Sequence, residues 1–139
     1  MKKMLLLLFL PFVLFASNMQ YELKIYATLL SNLFPNYHTI KVWSDNAKKS
    51  NMLSYLSNIK IVKDINNADI LIVQRKKDLP KNKIIFATNY LILKHYKREA
   101  IGGFYWKKGR PNILFLRSNL FNHHIQLPSS FNDFIEDRL

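Results

Sequence analysis

The sequence predicts an α/β fold: a single-domain sandwich around a mixed, mostly parallel sheet, with a C-terminal β-hairpin and a terminal helix. Three observations predict it. Ile70-Leu71-Ile72-Val73 is a short β-branched run without polar alternation, the pattern of a strand covered on both faces. Segments with apolar residues at three- and four-residue steps separate such runs. One Gly-containing turn, Lys108-Gly109-Arg110-Pro111, joins two apolar stretches directly.

The elements follow in order. Residues 1–17 read as a bacterial secretory signal: Lys2 and Lys3, an apolar run from Met4 to Ala16, then small residues. That run has 13 residues, whereas a helix needs about 20 to cross the hydrocarbon core. Cleavage is expected near Ala16 or Ser17, with retention as an uncleaved anchor as the alternative. The domain then covers residues 18–139. Leu23, Tyr26, Leu30 and Leu33 predict a helix over 21–34, ended by Pro35. His38 to Trp43 alternates like a strand. Ser44 and Asp45 are expected to cap a helix over 46–56 with Met52, Leu53 and Leu56 on its apolar face. Strands are expected over 59–63, 68–74 and 83–88, with a charged loop over 75–82. A helix follows over 89–97. Residues 101–107 and 112–117 form the hairpin, and 118–122 a short helical turn. Ser129 or Ser130 is expected to cap the terminal helix, whose apolar face is Phe131, Phe134 and Ile135.

Composition narrows the function. Export implies a periplasmic protein. The chain has no cysteine, which excludes a lipoprotein anchor and a disulfide framework. Without Lys2 and Lys3, 19 basic side chains face 9 acidic ones, a net charge of +10. The bases are scattered in small groups, and the composition is rich in Lys, Asn and Ile together, so nucleic acid is disfavoured as a partner. A solvated surface, or a patch facing an acidic partner or an anionic membrane surface, suits the charge better.

Enzyme signatures are missing. There is no nucleophile elbow, no phosphate loop and no His-Glu-x-x-His. Glu136-Asp137 is the one adjacent carboxylate pair, and in a helix its members point about 100° apart. His123-His124 is the one histidine cluster, and neighbours in a strand or helix diverge too far to share a metal. The expectation is no catalytic residue, no metal and no cofactor. Gly102-Gly103-Phe104-Tyr105-Trp106 is the most distinctive stretch. In one reading the glycines bend the strand while Phe104 and Trp106 pack on the core. In the other, Tyr105 and Trp106 with Lys107, Lys108 and Arg110 form a partner-binding anchor, because Tyr, Trp and Arg dominate interface energetics.

Several stretches resemble the YfiR-like periplasmic protein family. In the C-terminal half these are Ile101-Gly102-Gly103-Phe104, Gly109-Arg110, Ile113, Phe115, Ile125-Gln126-Leu127, Ser129 and Phe131. Upstream, Ile40-Lys41-Val42-Trp43-Ser44-Asp45 and Ala68-Asp69-Ile70-Leu71-Ile72-Val73 are similar to the family's first and central strands. Leu116 departs from the family's Asn, and His124-Ile125 replaces a Gly-Leu pair. The disulfides of some members cannot form here. The resemblance implies a regulator that binds the periplasmic part of an inner-membrane receptor or diguanylate cyclase. A second copy of the chain stands as a further partner. The alternative is a solute-binding or structural module of the envelope.

Overall fold

The computed structural model describes the backbone of residues 2–139 and the side chains of residues 18–139. The side chains of the export signal expected over residues 1–17 lie outside the described ones. Seven strands form one sheet: β1 (Ile40–Ser44), β2 (Ile59–Ile61), β3 (Ile70–Val73), β4 (Ile84–Ala87), β5 (Ala100–Lys107), β6 (Arg110–Leu116) and β7 (Ile135–Glu136). Their order across it is β2-β1-β3-β4-β5-β6-β7. Every neighbouring pair is parallel except the β5–β6 hairpin.

Helices cover both faces, which is why β3 is buried along its whole length. On one face lie α1 (Lys2–Leu33) and α2 (Ala47–Leu53). Tyr26, Leu30, Leu33 and Leu53 from these helices pack on Val42, Ile70, Ile72, Phe86 and Phe115. On the other lies α3 (Tyr90–His95), whose Ile92 and Leu93 meet Leu71, Val73, Ile85 and Ala87. The helix expected over 46–56 is shorter, and its cap is Asn46, not Ser44 or Asp45. Asn46 Oδ1 accepts from Lys48 and Lys49 N–H at 2.9 and 3.2 Å. Asn89 caps α3 in the same way, accepting from Ile92 N–H at 2.9 Å. A fourth helix, α4 (Arg117–Asn122), is tied to the start of β5 by the buried Asn119. Its amide donates to the carbonyls of Lys97 and Ala100 at 2.8 and 2.7 Å.

The β4–β5 pairing contains a bulge. Ile85 pairs with Ala100 and Phe86 with Gly102, so Ile101 is an extra residue. Ile101 and Gly102 therefore address the same face, that of α1. The strand resumes its alternation with Phe104 and Trp106 on that face and Tyr105 on the other.

The hairpin turn is tighter than the four residues expected. Lys107 still pairs with Arg110, leaving only Lys108 and Gly109 at the apex. Both have positive φ, +52° and +74°. Such a two-residue turn favours Asn-Gly, because a side chain in the left-handed region strains most residues. Lys108→Asn is therefore expected to raise stability by about 1 kcal/mol, read as a higher urea midpoint. An unchanged or lower midpoint would contradict this account of the turn.

The terminal helix is the main correction. Ser129–Phe134 forms a 3-10 segment instead, and Ile135–Glu136 forms β7. No side chain caps the segment at Pro128. The three-residue repeat places Phe131 and Phe134 on one side, with ring centroids 6.3 Å apart. The open edge of β6 then gives Ile135 and Glu136 backbone partners at Phe115 and Leu116. The sheet thus begins and ends on short strands, β2 with Lys60 exposed and β7 with Glu136 exposed. Among the described residues no helix is long and apolar enough to cross a membrane.

Candidate functional site

The residues of α1 do two jobs. One stripe, Tyr26, Leu30 and Leu33, faces the sheet. A flanking stripe, Tyr21, Ile25 and Leu29, recurs at four-residue steps and forms one wall of an open groove of about 440 Å³. Ile113 of β6 and Phe131 and Phe134 of the C-terminal segment form the other wall. The polar groups of α1 beside the groove are occupied by the helix itself. Thr28 Oγ1 donates to the Lys24 carbonyl at 2.9 Å, and Asn32 Nδ2 to the Thr28 carbonyl at 2.7 Å.

Trp106 stands at one end of this groove. Its ring lies 5.9 Å from that of the buried Phe104 and 6.3 Å from that of Tyr21. Tyr21, Trp106 and Phe134 are each 39–49% exposed, so large apolar side chains reach solvent along the groove side of the domain.

The structure divides the five residues that the sequence grouped. Tyr105 points to the face of α3, where its ring meets that of Tyr90 at 6.1 Å. Partial burial, and then Tyr90, push its phenol above the ordinary range. Tyr105 is thus separated from Trp106 by the thickness of the sheet. The alternation of a strand carried that signal. Lys107 and Arg110 pair across the hairpin in the phase of Tyr105, with Lys108 at the apex. Together with Asn112 they line an open depression of about 370 Å³. None of these three cations has a carboxylate within 4 Å among the described residues. Trp106 stacks on core-facing Phe104 and keeps part of its ring in solvent.

Another place was open to a ligand. In a parallel sheet of this strand order, ligands favour the crevice beyond the carboxyl ends of β1 and β3. Here side chains close it. The Asp45 carboxylate accepts from the backbone N–H groups of Gln74 and Arg75 at 2.8 and 2.9 Å. Lys77 Nζ lies 3.0 Å from Asp45 and 5.2 Å from the centre of the Trp43 ring. Asn46 Nδ2 donates to Gln74 Oε1, and Asn89 Nδ2 to the Gln74 carbonyl at 3.1 Å. The network joins three strand ends and leaves its polar groups engaged with one another.

Set against family models, curated proteins and solved structures, the chain matches none. The site is therefore defined by its own geometry. Among the described residues no group of three His, Cys, Asp or Glu side chains gathers as metal ligands would. His123 and His124 follow α4, where His124 takes a positive φ of 58°. Burial, and then the neighbouring His124, lower the His123 pKa. Tyr26 is buried under Lys49, itself paired with Glu22. Burial, and then Glu22, hold the Tyr26 phenol above its ordinary value, which makes it a packing group and a poor nucleophile.

The sequence reading missed the groove. Tyr21 and Ile25 read as parts of a helix, and Phe131 with Phe134 as the face of another. Their spacing was visible, but nothing local brings together segments separated by about 110 residues.

Proposed function

We propose that this chain is a periplasmic regulatory binding protein. It modulates an inner-membrane signalling enzyme, diguanylate cyclase-like in kind, through protein–protein contact at the α1 groove. The observation that carries the proposal is the set of exposed aromatic side chains, Tyr21, Trp106 and Phe134, beside an open apolar groove. Aromatic anchors next to a groove are the residue types that supply most binding energy at interfaces. A receptor helix could lay its apolar face there. The resemblance to YfiR-like proteins supplies the compartment and the class of receptor. Binding one state of that receptor better than the other is sufficient to regulate it.

Phe134→Asp places a charge in the groove at an exposed position, where the fold should tolerate it. The variant is expected to weaken a complex recovered from detergent extracts by at least about 30-fold, the size of a ~2 kcal/mol anchor. It should also change intracellular cyclic dinucleotide in the same direction as deletion of the gene. Unchanged cyclic dinucleotide on deletion, with no membrane protein cross-linked, would sink the proposal. The groove volume also falls in the range of small-molecule pockets, about 300–1,000 Å³. If a solute raised the melting temperature of the wild type but not of Phe134→Asp, and no receptor was captured, the solute-binding reading would replace this one.

A further inference from the structure

The loops after β1, β3 and β4 lie at one end of the parallel sheet, and β5 runs the same way, so the hairpin apex lies there too. That end is cationic. Lys107, Lys108 and Arg110 sit at the apex, and Arg75 and Lys76 follow β3, two strands or about 10 Å away across the sheet. All five are exposed. The sequence has no Asp or Glu between Glu99 and Asp133, so no acid on the hairpin offsets its charge. At the same end Trp106 stacks against Tyr21, each with its ring partly in solvent.

We infer that this end of the domain rests on an anionic phospholipid bilayer. The three cations would meet the headgroups while Trp106 and Tyr21 lie at the polar–apolar boundary. Each Lys or Arg near an anionic surface contributes about 1 kcal/mol, and Trp and Tyr favour that boundary. Chain connectivity agrees. Tyr21 lies five residues after Ala16, so the apolar run Met4–Ala16 joins the domain at this end. Five helical residues span about 8 Å. Lys108 at the apex fits the inference, because a charge occupies a backbone conformation that Asn would hold with less strain.

A domain held in this way has its α1 groove along the side, parallel to the bilayer normal and open to a neighbouring membrane protein. The inference depends on the envelope location in the functional proposal but not on the identity of the receptor.

The test uses the full chain purified from bacterial envelopes. It is mixed with vesicles of phosphatidylcholine alone, or with about one third phosphatidylglycerol, each with brominated chains that quench tryptophan at the interface. Quenching is expected on anionic vesicles, to fall steeply as salt rises past ~0.15 M, and to vanish in Trp106→Phe. A triple variant, Lys107→Gln, Lys108→Asn and Arg110→Gln, should lose roughly 100-fold in affinity for the anionic vesicles, from three contacts of ~1 kcal/mol each. Lys108→Asn alone should bind several-fold more weakly while melting about 4 °C higher, so weaker binding cannot be ascribed to unfolding. Equal quenching on both vesicle types overturns the inference, as does a folded triple variant that binds like the wild type. So does capture of an acidic protein through these cations with no vesicle binding. Vesicle binding without a receptor complex would sink the regulator proposal and leave this inference standing.

Discussion

Gly102→Ala is expected to open the hairpin half of the sheet. A Cβ at that position would lie 2.2 Å from the Leu114 carbonyl oxygen and 3.0 Å from both Phe115 Cα and the Phe115 ring. Two of those three atoms belong to the backbone, so no side-chain rotation relieves the overlap. The bulge aims Gly102 at the face of α1, between Phe86 and Phe115, whose ring centroids are 6.0 Å apart. The missing side chain is the space that lets those rings approach. Overpacking at a site that cannot yield costs about 3 kcal/mol or more, a large part of the ~5–15 kcal/mol that holds a domain of this size. Thermal denaturation should show a fall of about 10 °C or more. A melting temperature within a degree or two of the wild type would refute the register assigned to β5.

Asp45→Ala should cost about 3 kcal/mol for a different reason. The Asp45 side chain is 3% exposed and Lys77, its ion-pair partner, 32%. Removing the carboxylate leaves the N–H groups of Gln74 and Arg75 without their acceptor and Lys77 without its counter-charge. Asp45→Asn keeps one carbonyl oxygen and should fall between the two. Amide hydrogen exchange at Gln74 and Arg75 is the direct readout: protection should drop most in the alanine variant. Protection at wild-type levels would show that another group holds the loop after β3.

These two residues also show what the sequence made legible. The strands at the centre were visible because Ile70–Val73 and Ile84–Ala87 are buried on both faces and carry no competing pattern. The helix around Tyr26 was visible through its periodicity. The role of Asp45 was not. Local spacing makes it a helix cap, yet its acceptors serve backbone N–H groups 29 and 30 residues away. The bulge at Ile101 was hidden for a related reason, since Gly102-Gly103 shows that a strand can bend without fixing which partner residue is skipped. The terminal segment misled in turn. Phe131, Phe134 and Ile135 satisfy a helical stripe, but the edge of β6, supplied by residues about 20 positions earlier, offers Ile135 and Glu136 a ladder instead. At the candidate site, alternation in β5 placed Phe104 and Trp106 together, and the same rule separates Tyr105 from Trp106.

The short strands at the two margins of the sheet bear on how the protein behaves at high concentration. A long, flat, apolar margin would invite strand addition from a second molecule and growth into fibrils. Here β2 offers only Ile59–Ile61, with a lysine at its centre, and β7 only Ile135–Glu136, with an acidic outer residue and the Arg117–Asp137 ion pair beside it. Beyond β7 the outer edge of β6 runs on from Arg110 to Leu114, where Pro111 has no N–H to offer and Arg110 carries a charge. Self-association through backbone pairing is thereby suppressed, and contacts with other molecules are left to side-chain surfaces.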